Sequence, residues 1–311
     1  MTIMEIAAKS GRPDLAWIYA ARMRDSSEYM VEFVDACDSA VGDRRRKWVI
    51  IISSQFGCPV GCLMCDAGGA FKGNLSFDEM RFQIETVLAA QGHISPHQCD
   101  KLKIQFARMG EPSLNDAVLD VLLWLKDRYP EAIPCIATVN PAGREEWFAA
   151  LLKIREQFRD FQLQLSVNSS DDSCRDRLIP YPKMPWEWMA RYGRDFYRKG
   201  QRKVGLNFAL CPDIRVSADA IREHFDPEHF VIKLTPLNPT STASANGLSA
   251  TADRTAAEIL VGRKAREFVR LGFSVIESVG NTEENVIGSN CGQMVRKLRP
   301  ATSSIHLRLA K

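Results

Sequence analysis

Between residues 48 and 277, short runs rich in Val, Ile, Leu and Phe alternate with longer segments whose apolar positions recur at helical spacing. Such runs bounded by turn residues read as strands, and the longer periodic segments read as helices. The pattern predicts strands at 48–53, 102–107, 134–139, 161–167, 204–210 and 230–235, and helices at 76–91, 115–128, 144–157, 185–199 and 217–224. Six strands alternating with helices imply parallel pairing through right-handed crossovers, hence an α/β open or partial barrel. In that architecture, chemistry belongs at the C-terminal ends of the strands.

The flanks read differently. The first forty residues mix apolar and charged positions at helical spacing, broken at Ser10-Gly11-Arg12-Pro13, and predict two or three helices. From 238 to 255 the chain turns to Pro, Ser, Thr, Ala and Gly, the composition of a mobile loop and a candidate lid over a substrate. A helix at 256–270, a strand at 273–277 and a polar loop ending in Asn290-Cys291-Gly292-Gln293 follow. The expected organisation is a helical extension over 1–45, a barrel core over 46–240, and a lid and C-terminal extension over 241–311 that carries Cys291.

Composition narrows the function classes. The 311 residues are 45% apolar and 25% charged, as in a soluble globular protein, and no apolar stretch approaches a membrane span. A net charge of +3 does not by itself predict a nucleic-acid partner. The compact basic run Arg44-Arg45-Arg46-Lys47 is open to two readings, a solvated turn or an RNA contact. Nine scattered cysteines, an odd number, do not form a disulfide framework, so a cytoplasmic, reducing location is expected.

Three of those cysteines carry the chemistry. Cys58, Cys62 and Cys65 stand in a Cys-x-x-x-Cys-x-x-Cys run directly after the first strand, separated by Gly57, Pro59 and Gly61. Soft thiolates select zinc or iron-sulfur clusters, and structural zinc usually takes four ligands, often as two Cys-x-x-Cys pairs; no second pair occurs. Three thiolates can hold three irons of a cubane and leave the fourth open. The other reading is three buried cysteines acting as small hydrophobes.

The run resembles that of radical SAM enzymes, whose open iron binds S-adenosylmethionine (SAM). Met109-Gly110-Glu111-Pro112 resembles the segment that holds the cofactor's ammonium; Glu111 offers a carboxylate to a cation, and Gly110 permits close backbone approach. The likeness sharpens to the RlmN/Cfr-type adenosine methylases through Ser53-Ser54-Gln55-Phe56-Gly57-Cys58, Leu165-Ser166-Val167-Asn168, Lys233-Leu234-Thr235-Pro236-Leu237-Asn238-Pro239 and Cys291-Gly292-Gln293-Met294, in order over residues 48–295.

The resemblance implies a radical SAM barrel of (β/α)6 type, a [4Fe-4S] cluster on Cys58, Cys62 and Cys65, and SAM contacts from Met64, Gly110, Glu111, Ser166, Asn168 and Asn238. It makes Cys291 a methyl carrier whose one-carbon unit passes to an sp² carbon, and it calls for an electron donor such as flavodoxin or ferredoxin. The chain departs from the family where a resolving cysteine stands seven residues before the first cluster ligand; here Ile51 occupies it. Cys211, at the end of the fifth predicted strand, is the candidate replacement, with a half-buried strand-end thiol as the other reading. Asn168 replaces a family histidine, Met64 replaces an aromatic residue, and the N-terminal segment is short for an RNA-binding helical domain. The expected substrate is therefore a small or nucleotide-like molecule rather than ribosomal RNA. RNA adenosine C-methylation and a catalytically inactive cluster-binding protein are the alternatives.

Overall fold

The computed structural model describes residues 4–37, 42–250, 253–280, 287 and 293–298. Its first three elements are strands, β1 (Glu5–Arg12), β2 (Ala16–Arg22) and β3 (Met30–Cys37), pairing antiparallel in succession. The helical expectation for residues 1–45 is therefore corrected. Glu32 and Asp35, three residues apart, imitate the polar face of a helix in sequence. In fact both are fully buried in β3, where Arg108 pairs with Glu32 at 2.6 Å and Arg44 with Asp35 at 2.8 Å. Arg44 of the basic run thus turns inward.

β4 (Trp48–Ile52) pairs antiparallel with β3 and then parallel with β7 (Leu102–Phe106). Between them lie a two-stranded ribbon, β5 (Gln55–Cys58) with β6 (Gly69–Asn74), and helix α1 (Phe77–Ala90), opened by a reciprocal capping box of Ser76 and Glu79. Helices α2 (Ala117–Arg128), α3 (Glu145–Arg155), α4 (Asp172–Leu178), α5 (Trp186–Phe196) and α6 (Ala218–His224) connect the further parallel strands β8 (Ile133–Thr138), β9 (Gln162–Ser166), β10 (Val204–Leu210) and β11 (Phe230–Pro236). Helices α7 (Ser241–Ala245) and α8 (Arg254–Arg270) lead to β12 (Ser274–Glu277), which pairs parallel with β11; α9 (Gln293–Leu298) follows. The sheet has the order β1-β2-β3-β4-β7-β8-β9-β10-β11-β12. The architecture is α/β with a parallel central sheet, and the six core strands fall where the hydrophobic pattern predicts them.

The faces of these strands differ in kind. Phe208, Phe230, Ile232 and Leu234 are fully buried on one side, where Phe230 fills the space left by Gly193 of α5 and Phe208 meets Phe268 of α8. Along β9 and β11 the alternate positions Gln162, Gln164, Ser166, Lys233 and Thr235 are only half-buried, forming a polar face. At β4 the corresponding residue, Ile51, packs with Ile18, Val34 and Met294 in a small separate apolar cluster. Among the described residues no helix is long and apolar enough to cross a membrane.

Candidate active site

The three-cysteine loop grows out of β5. Gly57 takes φ +74°, and a Cβ there would lie 2.6 Å from the carbonyl oxygens of Gly69 and Ala70, so the ribbon closes only with glycine. The backbone N–H groups of Val60 and Gly61 act to lower the pKa of the Cys58 thiol, against the effect of its burial. Cys65 N–H donates to the Cys62 carbonyl at 3.1 Å, and Leu63 N–H to Leu178 at 2.9 Å.

Burial pushes the Cys58 thiol up to about 12 and the Cys62 thiol well above its ordinary value; the neighbouring cysteines and Glu111 push both the same way. Three thiolates persist in such a place only with metal cations among them, because bound metal deprotonates a thiol outright. Among the described residues, no three Cys, His, Asp or Glu side chains converge tightly enough to hold a single ion. A cubane instead presents a different iron to each sulfur. Three thiolate donors on one loop suit such a cluster, with one iron left open.

The loop after β7 is laced to this one. Ser54 N–H donates to the Met109 carbonyl at 2.8 Å, Met109 N–H to Ser53 Oγ at 3.1 Å, and Glu111 N–H to Gln55 Oε1 at 2.8 Å. Gly110 has φ +99°, and a Cβ would sit 2.6 Å from that of Gln55. The carboxylate of Glu111, fully buried, accepts from Ser113 N–H and Oγ–H and from Val139 N–H at 2.9 Å. Burial raises the pKa of Glu111, opposed by its bonds to Thr138, Val139 and Ser113.

The loop after β11 completes the enclosure. Residues 238–255, expected to be mobile, contain α7, and its start is tied to the cluster loop. Thr240 Oγ–H donates to the Met64 carbonyl at 2.8 Å, and Asp66 accepts from the Thr242 N–H at 2.8 Å and its hydroxyl at 2.7 Å. Between this loop and the polar face lies a cavity of ≈ 260 Å³ lined by Met64, Cys65, Gln164, Asn207, Lys233 and Asn238, among others.

Met64, Cys65 and Asn238 therefore meet in one pocket. Ser166 ends β9 in register with Asn207, and Asn168 follows at φ +63°, its Oδ1 accepting from Ala209 N–H at 3.1 Å. Cys211 is buried, its sulfur 3.9 Å from Asp213 Oδ2, and it is not among the residues lining the pocket. Cys291 lies outside the described residues.

Sequence reasoning missed three participants. Gln55 joins the two loops through Glu111 and Asn74, with no distinctive spacing to mark it. Glu32 holds Arg108 and accepts from the Met294 and Val295 N–H groups at 3.0 and 3.1 Å, fastening the start of α9 three residues after Cys291. Lys233 had a visible signal, a lone charge inside a largely apolar strand.

No family model matches the chain. It is 29% identical over 265 residues to "Probable dual-specificity RNA methyltransferase RlmN" of Desulfitobacterium hafniense, spanning 82% of this chain and 70% of that protein. A protein of the same description from Thermus thermophilus is 26% identical over 261 residues, covering 81% of this chain and 69% of that one. In fold, the chain resembles a radical SAM methyltransferase from Sphaerobacter thermophilus, with TM-score 0.72, 19% identity, and coverage of 94% of this chain and 81% of that one. It also resembles Streptococcus suis SuiB bound to S-adenosylmethionine, with TM-score 0.54, 10% identity, and coverage of 74% of this chain and half of the other. With three thiolate donors suited to the [4Fe-4S] cluster of SAM-dependent radical chemistry, this enzyme is similar to the RlmN-type radical SAM methyltransferases.

Proposed function

We propose that the parallel strands form a partial (β/α)6 barrel, with residues 46–240 as its core and 241–311 carrying Cys291. In this reading the enzyme transfers a methyl or methylene unit through Cys291 to an sp² carbon of a small molecule. The supporting observation is the pocket itself. It sets Cys65 and Met64 of the cluster loop against Asn238 and the polar strand residues Gln164, Asn207 and Lys233, within ≈ 260 Å³.

When bound, the cluster and SAM supply one-electron chemistry. Cys58, Cys62 and Cys65 would hold three irons, Glu111 would take the SAM ammonium, and Asn238, Ser166 and Asn168 would orient the rest of the cofactor. Ile51 leaves no thiol at the family's resolving position and packs instead against a small apolar cluster. Release of product from Cys291 then falls to another group, with Cys211 the candidate thiol, or the chemistry stops short of a crosslink. A flavodoxin or ferredoxin would deliver the electron, in a cytoplasmic setting.

The second reading, adenosine methylation in RNA, is favoured by the descriptions of the relatives. The test is mass spectrometry of the intact reconstituted protein after incubation with SAM and reductant. A methyl on Cys291 supports carbon relay. Deoxyadenosine formation with Cys291 unmodified refutes relay, and methyl transfer to an RNA transcript favours the second reading.

A further inference from the structure

Two lysines occupy sheet positions where burial disfavours charge. Lys103 on β7 is buried and Lys233 on β11 half-buried, and among the described residues neither meets a carboxylate. Lys103 Nζ donates to Gln162 Oε1 at 2.7 Å, and Lys233 Nζ to Gln164 Oε1 at 3.2 Å. An ammonium carries three N–H donors, so each lysine holds donors in reserve. Buried ammonium groups are rare without a partner. Cys135, between them in the electrostatic field, supplies no counter-charge, because burial pushes its thiol up and keeps it protonated.

The space around Lys233 is open on both sides. Gln164 and Lys233 line the upper cavity beside Cys65, and they also line a second of ≈ 230 Å³ that continues past Gln162 to Arg202. Two residues that line the upper cavity, Asn207 and Thr235, each carry a side-chain oxygen, Oδ1 and Oγ1, that is buried without a hydrogen-bond partner among the described residues. A lysine without a carboxylate and two residues with an unpaired side-chain oxygen therefore line one space.

We infer that the substrate is a small polar acid whose carboxylate or phosphate is received by Lys233 and the Thr235 hydroxyl, within the field of Lys103. Asn207 Oδ1 then accepts from a neighbouring hydroxyl or amine of the same molecule. Identifying this ligand as substrate rests on the proposed function; the anion site itself rests on the side chains alone. Lys233 lies two residues deeper along β11 than Thr235, about 7 Å at strand rise. An acid anchored there directs the remainder of the molecule toward the end of the sheet where Cys65 and Met64 stand.

The test is calorimetric titration of the full, cluster-free chain with inorganic phosphate and, separately, with succinate, at fixed ionic strength. Saturable binding of at least one is expected, weakened about tenfold or more in K233M, which loses a charge-assisted bond. T235V, which keeps the side chain's shape and hence the fold, should weaken it about fivefold, one hydrogen bond's worth. Tighter phosphate binding identifies a phosphate ester, and tighter succinate binding a carboxylic acid. Absent binding, or equal binding in wild type, K233M and T235V with all three folded by circular dichroism, overturns the anion site. Anion binding lost in K233M, in a chain that does not cleave SAM once reconstituted, overturns the proposed function and leaves the anion site standing.

Discussion

The cofactor loops and the floor of the pocket are built on opposite principles. In the loops, polar groups are paired internally: Gln55 serves Glu111 and Asn74, Asn115 Nδ2 donates to the carbonyls of Ser54 and Leu75 at 2.8 Å each, and Glu111 has three donors around it. On the floor, Asn207 Oδ1 and Thr235 Oγ1 are unpaired, and Lys233 reaches one amide oxygen. Pairing of this kind pre-organises a frame whose geometry must not change as a cofactor binds. Orphaned polar atoms beside a cavity lower stability until a ligand completes them. The first region is a rigid holder, and the second is a receptor.

The largest effects should come from the holder. Replacing Cys58, Cys62 or Cys65 by Ala is expected to abolish both cluster absorbance and reductive SAM cleavage after anaerobic reconstitution; retained cleavage in any of them would remove the cluster assignment. Glu32→Ala leaves Arg108 buried beside an empty site and frees the start of α9. Breaking such a buried pair costs about 3–5 kcal/mol, read from urea unfolding. Gly110→Ala meets both a positive φ and Gln55, and should cost about 2–4 kcal/mol in the same measurement. Gln55→Ala strips the Glu111 N–H and the Asn74 amide of their partners, for about 1–3 kcal/mol.

The receptor should respond with the opposite sign. Lys233→Met is expected to stabilise the ligand-free protein by about 1 kcal/mol, since an apolar side chain of similar length removes an uncompensated charge. Burial holds the pKa of Lys233 below its ordinary value. Between the folded and unfolded pKa values, the unfolded chain binds the proton that the folded chain releases, so wild-type stability rises with pH there. The advantage of Lys233→Met should therefore shrink as pH rises toward the ordinary lysine range, as followed by thermal unfolding. A constant or growing advantage would mean that Lys233 is not strained by burial, and the contrast between holder and receptor would fail.

The sequence by itself determined the alternation of the six core strands with α1, α2, α3, α5 and α6, because apolar runs and helical periodicity are local signals, and it missed the short β5–β6 ribbon, α4 and α7. It also determined the three-cysteine loop, whose spacing is covalent. It misread β1 to β3: β2 and β3, buried on both faces, lose their period of two, and Glu32 and Asp35 at a spacing of three supplied a helical imitation. The tie between α7 and Asp66 joins residues some 175 positions apart, so a loop composed of Ser, Thr and Ala read as mobile although it is fastened. Only the tertiary structure decided that Gln55 supports Glu111, that Ile51 faces an apolar cluster, and that Lys233 stands without an anion. Each of these depends on which strands lie side by side, and sheet pairing is a long-range choice that no window of sequence contains.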